Sequence, residues 1–89
     1  MARFELPEFA LSGIGETPDT ADTMFELGMM YASGREVPVD LVTAHKWFNL
    51  AAMQGNRDAA RLRQEVAQQM SSADIATAQR AARAWLKAA

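Results

Sequence analysis

Few residues in this 89-residue chain could do chemistry, and their spacing works against catalysis. His45 is the single histidine and there are no cysteines, so a metal site has no second imidazole and no thiolate to draw on. The same count leaves no disulfide framework and no cysteine nucleophile. His45 stands beside Lys46 on an expected helix, where a solvent-facing position is the expectation. Glu26, Glu36 and Asp40 could supply carboxylates, but nothing in their spacing puts two in one cleft, and Asp40 is better used as a helix cap. Ser12-Gly13-Ile14-Gly15 lacks the following Lys-Ser/Thr of a phosphate loop and reads as a flexible turn. The expectation is therefore no catalytic residue, no cofactor-binding residue, no metal ligand and no enzyme.

The remaining chemistry is that of surfaces. Met24, Met29, Met30, Met53 and Met70 suit either a core or an adaptable binding face. Met24 falls on a core face. Met29 and Met30 are adjacent, so one of them is expected to point off that face toward a partner. Arg80, Arg83 and Lys87 form a basic stripe on the last helix, placed well for a helix C-terminus. RNA or an anionic membrane is an alternative use, but the stripe is short and has no interleaved aromatics. Net charge is −2, which gives no general pull on nucleic acid. The charge is uneven. Residues 1–20 carry Arg3 against Glu5, Glu8, Glu16 and Asp19, a net of −3, whereas residues 56–89 net +3. An acidic front and a basic back can attract within a chain or between copies.

These side chains need elements to hold them. Apolar residues make up 49% of the chain, too many for an ordinary disordered polypeptide. Abundant Ala and few β-branched residues after Thr43 favour helices. No window approaches ~18 consecutive apolar residues, so no transmembrane segment is expected. The opening residues lack an apolar run behind a basic start, so a cleavable signal is not expected and a cytoplasmic setting is.

Residues 1–18 are expected to be an extended or partly disordered segment, because Pro7, Gly13, Gly15 and Pro18 interrupt any helix. Phe4, Leu6, Phe9 and Leu11 are nonetheless too apolar for a solvated tail. They either lie on the chain's own core or dock on another protein. Residues 19–89 read as one helical domain. A first helix starts at Asp19 or Thr20, aligns Met24, Leu27, Gly28 and Tyr31 on one face, and stops at Gly34. Asp40 caps a second helix whose apolar face is Ala44, Trp47, Phe48 and Ala51, widened by Leu50 and Ala52 and ended by Gly55. A third helix is expected over residues 57–70, carrying Ala59, Leu62, Val66 and Met70. A fourth follows Ser71 or Ser72, with Ile75, Ala78, Ala82 and Trp85 on its inner face.

Gly28 sits inside a helix, where it costs about 1 kcal/mol relative to Ala. A close crossing would explain it, with Ala44, Ala51 and Ala52 expected opposite, and Tyr31 and Trp47 filling the wider ends of the hairpin. Such a unit should recur. Ala44, Trp47, Phe48 and Ala51 align with Ala82, Trp85, Leu86 and Ala89 at an offset of 38. Helices one and three align poorly at an offset of 36, with Leu27 on Arg63 and Gly28 on Gln64. The pattern is one full helix-pair repeat followed by a degenerate capping one, a short all-α solenoid of two antiparallel hairpins.

Leu27-Gly28, Tyr31, Gly34, Val37, Asp40, Ala44, Trp47, Ala51-Ala52 and Gly55 resemble the signature of the Sel-one-like repeats, relatives of the tetratricopeptide repeats. Ala59 matches the first position of a following repeat. The departures are Thr23 for the usual Ala, Glu36 for the usual link Gly, and the absent Leu-Gly in helix three. The resemblance implies an α-solenoid adaptor or scaffold, often bacterial, with no catalytic residues. About three units are usually wanted for an independent stack, and here there are roughly two. A protein partner or self-association is therefore expected, with no small-molecule substrate. A fixed accessory or assembly subunit of a larger complex is the alternative.

Overall fold

A computed structural model describes residues 20–88. The expectations for residues 1–18, including Phe4, Leu6, Phe9 and Leu11, lie outside the described residues. Those described form four helices: α1 (Ala21–Ser33), α2 (Leu41–Met53), α3 (Arg57–Ala67) and α4 (Ser72–Ala88). The expected all-helical short solenoid is the observed architecture.

Each helix begins where its sequence supplies an acceptor for an orphan amide. The Thr23 amide donates to Thr20 Oγ1 at 3.1 Å. The Thr43 amide donates to Asp40 Oδ1 at 3.1 Å, and the Thr43 hydroxyl donates to Asp40 Oδ2 at 2.7 Å. The Ala59 amide donates to Asn56 Oδ1 at 2.8 Å, and the Asp74 amide to Ser71 Oγ at 3.0 Å. Caps of this kind are worth about 1 kcal/mol each. Gly34 ends α1 in the left-handed region at φ 77°, and its amide donates to the Met30 carbonyl. α3 is shorter than its periodicity implies. It stops at Ala67, where the Gln69 and Met70 amides turn back to Val66 and Ala67, while Met70 still packs on the core.

The α1–α2 link contains a backbone anomaly. Glu36 adopts φ 71°, a conformation that favours glycine, at the position where the repeat signature it resembles has Gly. The link is held from both ends, with the Asp40 amide donating to the Tyr31 carbonyl at 3.0 Å.

α2 is the centre of the molecule, since α1, α3 and α4 all pack against it. α1 and α2 form a close antiparallel hairpin. α3 and α4 make little direct backbone approach and instead share α2 as their support. Met24, Leu27, Met30, Phe48 and Leu50 are the largest fully buried side chains, so the core lies chiefly between α1 and α2.

Candidate interaction surface

Three sides of α2 are covered, and that decides which residues remain available. Gly28 is buried against the Phe48 ring, where an added Cβ would stand 2.5 Å from two ring carbons. The closest approach is therefore made by an aromatic ring, ahead of the alanines expected opposite. Phe48 also meets Phe25, one turn before Gly28 on α1, with ring centroids 5.9 Å apart. Tyr31 is buried, and burial, followed by the nearby Asp40 carboxylate, raises its phenol pKa. Trp47 meets Trp85 of α4 edge-on at 5.7 Å, so it joins the first repeat to the second, a reach beyond the hairpin end it was expected to fill. Lys46 Nζ lies 4.4 Å from the centre of the Trp47 ring, and burial lowers its pKa.

Two expectations need correction. Met30 is fully buried and Met29 half-buried against the core, so Met30 is no surface contact. The stripe facing α2 is broad enough to take both Met30 and Tyr31. His45 was expected in solvent, yet it is 4% exposed, because α3 and α4 cover the flank of α2 that carries it.

Two concavities stand out. The first, about 570 Å³, lies along the α1–α2 link and is lined by Tyr31, residues 37–42 and Asp74. It is largely apolar, with Val39 59% exposed, and Asp40 is already engaged as a cap. The second, about 400 Å³, opens between α2, α3 and α4, lined by His45, Asn49, Arg63, Gln64, Ala67, Ile75 and Gln79. It is polar. Arg63 Nη1 donates to Asn49 Oδ1 at 2.8 Å, and His45 Nδ1 has no hydrogen-bond partner among the described residues. Burial first, then the Arg63 charge, lowers the His45 pKa, against a small rise from its own backbone.

Sequence reasoning placed no site in this second cleft. The available signal was the pair Arg63-Gln64 standing where the first repeat has Leu27-Gly28, together with His45 and Asn49 one turn apart on α2. A long charged chain and an amide cannot reproduce the close helix crossing, and the gap stays polar. Among the described residues no group of three or more His, Cys, Asp or Glu could hold a metal ion. No described helix is long and apolar enough to cross a membrane.

Four described helices, the first pair closing around a glycine and the second repeating its tryptophan and alanine positions, make a short helical-repeat fold. Residues 21–56 match the family model described as Sel1 repeat. The match covers the Sel-one-like signature residues from Leu27 to Gly55. Sel1 repeats are generally protein–protein interaction modules and typically non-catalytic. No curated protein and no solved structure matches the chain.

Proposed function

We propose that this chain is a small adaptor or scaffold that holds a partner protein on an exposed face of its helices. The observation that carries this reading is the match of residues 21–56 to the Sel1 repeat model, followed by a helix pair that does not close. Solenoid units bury their faces on neighbours, and the described helices keep Met53 and Leu86 exposed, apolar surface that a partner could cover. Affinity capture with the intact chain, followed by reconstitution with the purified partner under light scattering, tests it. A saturable complex of defined stoichiometry supports the adaptor. A monomer that forms no complex with any captured protein overturns it.

A second reading, a fixed subunit of a larger assembly, is favoured by the exposed apolar residues Val39, Met53 and Leu86. Salt separates the two. A complex that persists through high salt marks the fixed subunit, and one that exchanges readily marks the adaptor.

A further inference from the structure

We propose that the polar cleft between α2, α3 and α4 binds a carboxylate presented by a polypeptide partner, with the Arg63 guanidinium as the charged donor. The inference rests on the interaction-module reading and names the chemistry one of its surfaces would recognise.

Five observations converge on it. Arg63 is half-buried, and among the described residues it has no ion-pair partner. Its bond to Asn49 uses one Nη1 donor and anchors that end of the guanidinium, leaving other donors of the fork unused among the described residues. None of the residues lining the cleft is acidic, so an incoming anion meets no like charge. His45 is 4% exposed and its Nδ1 lacks a partner among the described residues, which leaves hydrogen-bonding capacity buried beside the same space. Gln64 and Gln79 are solvent-exposed, so the roughly 400 Å³ cleft is open to a group arriving from outside.

The charge balance selects the ligand. One fixed cation matches one negative charge, and a planar fork matches a planar carboxylate. A phosphate dianion would leave a charge uncompensated. A bound carboxylate also offsets the repulsion that Arg63 exerts on the His45 imidazolium. Arg63 is the charged group facing His45 from α3, α4 presents Ile75 and Gln79 there, neither of them titratable, and Lys46 neighbours it on α2. Binding therefore raises the His45 pKa and tightens as pH falls toward it.

Nuclear magnetic resonance on the isotope-labelled full chain tests this at constant ionic strength. The probes are acetate, inorganic phosphate and two N-acetylated alanine-rich peptides. One peptide has a central Glu and an amidated C-terminus; the other has a free C-terminus and no acidic side chain. Saturable shifts of the Arg63 side chain and the His45 ring with acetate and with one peptide, and a rise in the His45 pKa, are expected. The responding peptide identifies a side-chain or a terminal carboxylate as the source. Arg63→Gln should weaken binding by about tenfold or more. Gln79→Glu, at an exposed position that preserves the fold, should also weaken it by placing an acid in the cleft. No saturable shift with acetate and peptides, phosphate binding as tight as acetate, or undiminished binding by both variants would overturn the proposal. A partner complex that forms with wild type while the cleft stays silent removes the cleft alone; carboxylate binding with no partner complex removes the module reading alone.

Discussion

The two helix pairs are built from aligned positions and reach different outcomes. In α1–α2, Gly28 admits the Phe48 ring and the pair closes. In α3–α4, Gln64 occupies the aligned place, Leu86 stands where Phe48 does, and the helices lean on α2 with a polar gap between them. Phe48 is 1% exposed and Leu86 is 42% exposed. The lesson is local. A glycine matters here because it makes room for an aromatic ring, and once that room is gone the ring's counterpart moves to the surface. The repeat's tryptophans survive the change because Trp47 and Trp85 meet each other across the repeats.

The largest expected effect lies at the ring itself. Phe48→Ala should destabilise the chain by about 3–5 kcal/mol, whereas Leu86→Ala should stay within about 0.5 kcal/mol. Urea unfolding followed by circular dichroism measures both, and equal losses would end the distinction between the pairs. Next comes the glycine. Gly28→Ala gains helix propensity but forces a methyl into a packed ring, for a net loss of about 1–2 kcal/mol. Gln64→Ala has no such ring to meet and should change stability by a few tenths of a kcal/mol. Adding Phe48→Leu to Gly28→Ala should restore part of the loss, a coupling that a double-mutant cycle reads directly.

A pH series sharpens the contrast from the polar side. The folded-state His45 pKa is lowered, so His45 contributes stability that is fully present above its ordinary value of 6.5 and is lost as pH falls through the lower folded value. Wild type should lose stability below pH 6.5 more steeply than His45→Gln, because the imidazole must take up a proton beside Arg63. Parallel curves for the two proteins would count against a buried neutral His45. The smallest effect belongs to the link. Glu36→Gly relieves a left-handed residue at φ 71° but frees the unfolded chain, for a net gain of about 0.5–1 kcal/mol in melting experiments.

Much of the fold was legible because its signals are short-range. Asp40 caps α2, Gly34 stops α1, and the spacing of Met24, Leu27 and Tyr31 marks the buried stripe. What was not legible depends on the third dimension. Met30 and His45 lie at the edges of their helices' apolar faces, and only the number of neighbouring helices decides whether an edge is wet. α2 has three such neighbours, so His45 is buried. The partner of Gly28 was misread for a related reason. Spacing identifies a face as crowded, but it does not say whether backbone or a ring does the crowding.

The edge-on contact of Trp47 with Trp85 has an optical consequence. Two indoles whose centroids lie 5.7 Å apart and whose planes are inclined by 74° form a chiral pair of chromophores. Their coupled transitions make the near-ultraviolet dichroism a native gauge of whether α4 rests on the first repeat, readable without any label.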